Sequence, residues 1–227
     1  TPSLPSKAQA LHVLSYNMEG IYSSGKLYEA CQYARMKAAH ILCLQETYEI
    51  NTGAYVSMSG WTIYTCGIGL TKGLNAPKSG VAIAIAPIIR GNVVSVVTEN
   101  YRMMAVVVSA VGGEVVVINY HTPDNSKAER PENAPVPEES RAEFFSTLRA
   151  FIKRFGGYKN ICLIGDGNVR WEGRADGEED ILGPFVWGRG VEYLGESERQ
   201  SASKRDNRVL WSEWLRTEGY VHGNNKF

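Results

Sequence analysis

The chain has 227 residues, 24 basic against 24 acidic, and is 44% hydrophobic. That is a globular composition. It supplies no global positive field for coating nucleic acid, and no apolar run approaches the ~18 residues of a membrane span. The four cysteines, Cys31, Cys43, Cys66 and Cys162, form no CxxC pair, which argues against structural zinc or a disulfide framework and for a reducing compartment.

Residues 1–10, "TPSLPSKAQA", read as a polar leader rather than a signal peptide. "LHVLSYN" (11–17) alternates as a strand does, and "KLYEACQYARMKAAH" (26–40) carries Leu27, Ala30, Ala34 and Ala38 at helical spacing. "HILCLQE" (40–46) and "GWTIYTC" (60–66) are further strands, followed by a Gly/Pro/Lys loop. Four strands over 80–87, 92–99, 102–111 and 114–122 then run without a helix, like half of a sandwich, with "VGGE" as a hairpin signal. After a loop over 123–137, residues 138–155 form an amphipathic helix, acids first and bases last, as the helix dipole prefers. "NICLIG" is a strand, the stretch to about Arg205 a long loop, and 206–219 a helix with Asp206 as N-cap and Gly219 as stop. Trp211 and Trp214, three apart on that helix, and Trp187 read as core rather than base-stacking surface. Many strands with about three helices, not strictly alternating, indicate one layered α/β or α+β domain over 11–227.

Four of the apolar strands end in groups fit to bind a metal, a proton or a phosphate. Asn17 ends the first, Glu46 the second, His121 the run "VVVINYH", and Asp166 with Asn168 the run "ICLIG". Each alone is common at a strand end or turn; independent turn choices need not give this chemistry four times. If the strands share a sheet and a direction, the groups meet at one edge. A carboxylate such as Glu46 is a hard ligand for Mg²⁺. Asp166 is placed to orient or deprotonate a water, Asn17 and Asn168 to donate to a phosphoryl oxygen, and His121 to give it a hydrogen bond or a proton. No GxxxxGK[ST] loop or GxSxG elbow is present, which excludes the nucleotide-loop and serine-hydrolase readings. The acidic run "DGEED" (176–180) lacks EF-hand spacing and reads as a solvated loop.

"LSYNMEG", "HILCLQET", "SGVAIAIAP", "VINYHTP" and "LIGDGNV" occur in the order of the endonuclease/exonuclease/phosphatase superfamily. The chain resembles that family, the DNase I and exonuclease III type of enzyme, over residues 11–227. "GEEDILGPFVWGRG" and "RVLWSEWLRTEGYVHGNNKF" look most like the apurinic-type endonuclease domains of non-LTR retrotransposons and the craniofacial-development-like proteins derived from retroelements.

The resemblance implies a DNase I-like four-layered α/β sandwich and a DNA-nicking phosphodiester hydrolase that uses Mg²⁺, with Mn²⁺ as an alternative. Glu46 and Asn17 would serve the metal, Asp166 the water, and Asn168, Asn17 and His121 the phosphate. His121 takes a slot held by tyrosine in the apurinic branch and by histidine in the DNase I branch, and Tyr120 is shifted out of it. Arg102 and Tyr120 are the candidate substrate-binding residues. Lys72, Lys78, Arg189, Lys204 and Arg205 are candidates for a phosphate-contacting face, or for loop solubility alone.

The family pattern continues beyond "NNKF" to a final "SDH" that this sequence does not contain, and His222 lies in another context. The fold is therefore expected to lack its last strands and to have a sheet edge that a partner chain would cover. Two rival readings follow. One is a scaffold that keeps the fold without the full site, and the other is an RNA or phosphoinositide phosphodiesterase of the same superfamily. DNA is the expected partner and a membrane is not; a nuclear or cytoplasmic compartment, with an organelle also open, follows from function alone.

Overall fold

A computed structural model of the chain describes residues 10–21, 25–67, 79–123, 138–169, 180–181 and 207–220, with the backbone alone for 138–140. The chain divides into two compact units, Thr1–Thr122 with Leu148–Asp166, and Pro123–Thr147 with Gly167–Phe227.

The first unit holds two mixed sheets. One has five strands in the order β1-β2-β5-β4-β3, the other four in the order β6-β7-β8-β9. In the first sheet β1 (Val13–Asn17) lies parallel to β2 (Ile41–Gln45), joined by helix α1 (Lys26–Met36), whose length is the crossover a parallel pair requires. β3 (Gly53–Val56), β4 (Thr62–Cys66) and β5 (Val81–Ile85) complete it by antiparallel pairing. In the second sheet β6 (Val93–Asn100), β7 (Met103–Ala110) and β8 (Gly113–His121) form an antiparallel meander. β9 (Asn160–Asp166) returns parallel to β8 after helix α2 (Glu138–Lys153).

Alternation along the strands decides which face each residue takes. Ile41, Cys43, Val81, Ile83 and Ile85 of the first sheet join Met104, Val106, Val108 and Val117 of the second in one buried cluster, the core between the sheets. The opposite face of the first sheet, with Leu42, Leu44, Ile63, Ala82 and Ala84, packs on Ala30, Cys31 and Ala34 of α1. On the second sheet Met103, Ala105, Val107, Val116 and Ile118 alternate with the core residues and are buried as well. Leu148, Phe151 and Ile152 of α2 are buried, and Arg154 ties the end of that helix to Glu99 of β6 through an ion pair. Cys43 is buried, whereas Cys162 on β9 is half-buried.

The helix-free run of four strands does not stay in one sheet. β5 is buried on both faces and sits between β2 and β4, so it belongs to the centre of the five-stranded sheet. A 3₁₀ turn at Pro87–Asn92 then carries the chain to the other sheet. "VGGE" is the hairpin turn between β7 and β8, where Ala110 pairs with Gly113. β3 has no counterpart among the expected strands: it is four residues long and exposed throughout, so no hydrophobic alternation marks it.

In the second unit Phe145 of α2 packs edge-on against Trp211 of α3 (Asn207–Glu218), which packs edge-on against Trp214; both tryptophans are buried core. Arg216 of α3 bonds Asp180, the last acid of the "DGEED" run, at 3.0 Å. Asp206, Trp187, His222 and the five candidate phosphate-contacting cations lie outside the described residues.

Candidate active site

The four strand ends come together, but not along one sheet. β1 and β2 run parallel in one sheet, and β8 and β9 run parallel in the other. Their C-terminal ends meet across the gap between the sheets, because facing layers can converge four strand ends more closely than one row of strands spaced about 4.8 Å apart.

Asn17 joins the two sides. Its Oδ1 accepts the Glu19 N–H at 3.2 Å, which turns Nδ2 outward. Nδ2 then donates to Glu46 Oε1 at 3.0 Å and to Asp166 Oδ2 at 3.1 Å. One amide thus bridges two carboxylates, the second of them 149 positions away in sequence. His121 completes the group: its Nε2 stands 3.7 Å from Glu46 Oε1. Ligand atoms of Glu46, His121 and Asp166 all lie within 4.8 Å of one another. His121 is buried, while Glu46 and Asp166 are half-buried and face solvent.

Glu46 reaches this position by breaking the strand. Gln45 points into the gap, so a continued strand would send Glu46 to the α1 side with Leu44. Instead Glu46 has φ +49° and Tyr48 φ +56°, both in the left-handed region that non-glycine residues avoid. Such residues cost about 1–3 kcal/mol each and persist where their surroundings impose them. Here the backbone is strapped from both sides. Gly20 and Ile21 N–H groups donate to the Glu46 and Thr47 carbonyls, and Thr47 and Tyr48 N–H groups donate to the Gly80 and Ser79 carbonyls.

Beneath the site lies a layer of amides. Asn119 is fully buried; its Nδ2 donates to the Leu44 and Ala82 carbonyls at 2.9 and 2.8 Å, and its Oδ1 accepts from Gln45 Nε2 at 2.7 Å. Gln45 Oε1 in turn accepts from Ser15 Oγ at 3.1 Å. The gap between the sheets is thus apolar at depth, amide-lined next, and acidic at its mouth. Because every amide in that layer is paired, the two sheets are fixed in register beneath the carboxylates.

Arg102 is buried in the turn between β6 and β7. Its carbonyl accepts the His121 N–H at 2.9 Å, and its Nη1 reaches the His121 carbonyl at 3.4 Å. It therefore grips the backbone of His121. Tyr120 faces the opposite side of β8 from His121, against Gly165, where any Cβ would lie 2.9 Å from the Tyr120 ring. Burial, and then the Asp166 charge, push the Tyr120 phenol far above its ordinary range.

Asn168 belongs to the second unit. It too is left-handed, φ +45°, and its carbonyl accepts from Asn207 Nδ2 at 3.1 Å. The same nitrogen donates to the Pro123 carbonyl at 2.8 Å, and Trp211 Nε1 donates to the Gly167 carbonyl at 3.1 Å.

Sequence reading did not pick out Tyr48, Glu19, Gln45, Asn119 or Asn207. Tyr48 Oη donates to Glu46 Oε2 at 3.2 Å. Burial, then the charge of Glu46 and its hydrogen bond, then the charge of Glu19, push that phenol up to about 12. For Tyr48 and Glu19 the available signal was proximity in sequence: each lies two residues from a strand-end candidate.

No family model matches the chain, and no curated protein matches it. Solved structures do. The AP endonuclease LMAP from Leishmania major superposes with a TM-score of 0.56 at 11% identity, covering 89% of this chain and 65% of that one. The 3′ phosphatase NExo from Neisseria, bound to a product DNA hairpin, gives 0.51 at 19% identity over 89% of this chain and 71% of that one. An AP endonuclease from Archaeoglobus fulgidus gives 0.50 at 16% identity over 89% and 70%. This chain thus spans just under two thirds of the Leishmania enzyme. Two mixed sheets packed face to face and these superpositions agree: the chain has the DNase I-like α/β sandwich fold.

Proposed function

We propose that the chain is a metal-dependent phosphodiester hydrolase that nicks DNA. The observation that carries this reading is the Asn17 amide holding Glu46 and Asp166 together, with His121 beside them. Ligand atoms of two carboxylates and an imidazole lie within 4.8 Å of one another, and the carboxylates offer the hard oxygen donors that Mg²⁺ or Mn²⁺ takes. Glu46 would hold the cation, with Asn17 and Asp166 at its border. A bound divalent cation supplies neutralisation of the charge that develops on phosphate and leaving oxygen.

The chain's own residues supply the rest. Asp166 orients the attacking water and accepts its proton. Asn17 fixes Asp166 and Glu46 relative to each other by giving one N–H to each. His121, fixed through its backbone by Arg102, presents Nε2 to a phosphoryl oxygen. The family resemblance adds Asn168 as a phosphate-holding amide. Arg102 acts through His121, a role distinct from direct substrate binding. The finer reading, the endonuclease domain of a non-LTR retroelement or of a cellular derivative acting in nucleus or cytoplasm, rests on the sequence stretches that resemble that group. No helix among the described residues is long and apolar enough to cross a membrane.

The test is conversion of supercoiled plasmid to open circle in Mg²⁺. The unmodified chain nicks; Asp166→Asn and Glu46→Gln fall by about 10²–10⁴; chelation stops the reaction. A folded chain that leaves the plasmid intact, or variants that nick at the parent rate, overturns the proposal.

A further inference from the structure

Tyr48, in the strained loop after β2, turns back onto the site. Its left-handed backbone, held through the Ser79 carbonyl, aims the phenol at Glu46. The two oxygens of Glu46 then have different partners. Oε1 faces Asn17 and His121, and Oε2 receives the Tyr48 hydroxyl at 3.2 Å.

We propose that Tyr48 is a positioning residue that sets cation preference: by holding Oε2 it leaves Glu46 one oxygen, Oε1, to offer a metal. This rests on the metal-dependent reading above. Mg²⁺ and Mn²⁺ suit a carboxylate that gives one oxygen into a compact shell. Ca²⁺ is larger, takes six to eight oxygens, and gains from a carboxylate that gives both. A phenol bonded to the second oxygen therefore selects against Ca²⁺. Residues that orient a ligand in this way alter metal binding about 10–100-fold when removed.

The experiment is Mn²⁺ binding to the full chain, followed by electron paramagnetic resonance, with Ca²⁺ and Mg²⁺ as competitors and no DNA present. Tyr48→Phe keeps the ring and removes only the hydroxyl. The expected result is a shift of about tenfold in the Ca²⁺-to-Mg²⁺ competition ratio toward Ca²⁺. A general loosening of the loop would weaken both ions and leave the ratio where it was. Glu46→Gln separates the two readings. If the parent binds no Mn²⁺, or Glu46→Gln binds it as the parent does, the metal reading fails and the Tyr48 proposal with it. If Glu46→Gln loses Mn²⁺ while Tyr48→Phe leaves the ratio unchanged, the Tyr48 proposal alone is overturned.

Discussion

Asn119 shows what a single residue contributes beneath the site. Its side chain makes three hydrogen bonds with no access to water, two to carbonyls of the five-stranded sheet and one to Gln45. Asn119→Ala leaves those partners buried with fewer hydrogen bonds, at about 1–3 kcal/mol for each one left unpaired. The expected loss is about 3 kcal/mol, or a fall of roughly 6–12 °C in the unfolding midpoint for a chain of this size. Differential scanning calorimetry checks it, and a fall under about 2 °C means that water or repacking restores the bonds. In sequence such a residue is nearly silent, because an amide inside "VVVINYH" interrupts an apolar run without saying where it points. Asn17, Glu46, His121 and Asp166 were legible for the opposite reason. Each stands where an apolar run stops, and there burial no longer explains a polar choice. Tyr48 was hidden because an aromatic after a strand reads as ordinary packing, and only the left-handed backbone turns it onto Glu46.

At the scale of elements, most strands and helices were readable because alternation and 3.6-residue spacing follow directly from burial on one face. What did not follow was the partner of each strand. β5 and β6 are neighbours in sequence, yet Val81–Ile85 is buried on both faces and Val93–Asn100 on neither completely. That difference is the physical mark of a central against an edge strand, and it separates them into two sheets. The loop after β2 depends on a further element-level fit at Gly80. Gly80 has φ +102°, and a Cβ there would stand 2.6 Å from Thr47 Oγ1. Gly80→Ala therefore adds left-handed strain and pushes on the segment that carries Glu46. It is expected to lower stability by about 1–3 kcal/mol, measured by urea unfolding. Gly53→Ala on β3, where a Cβ meets nothing within 4 Å, is the control and should change little. Equal effects at both positions would show that the strap does not hold the loop.

At the scale of the whole molecule, charge balance limits how it meets a polyanion. With 24 basic and 24 acidic residues there is no long-range attraction to gather DNA from solution. On the proposed function, direct phosphate contacts supply the affinity, while the site itself is acidic through Glu19, Glu46 and Asp166. Of the cations near it, Lys26 is bonded to the Met18 and Glu19 carbonyls and Arg102 to that of His121. The sequence offers five further candidates, Lys72, Lys78, Arg189, Lys204 and Arg205. If each neutralises one phosphate, counterion release bounds the slope of log K against log salt at about −4.5. The prediction is a slope no steeper than that for Asp166→Asn binding a duplex without divalent cation, measured by fluorescence anisotropy. Neutralising one contacting lysine should then flatten it by about 0.9. A steeper slope would mean a basic face larger than these five residues form, and recognition led by charge. A slope near the bound, or shallower, leaves selectivity to the shape of the duplex at the mouth of the sandwich.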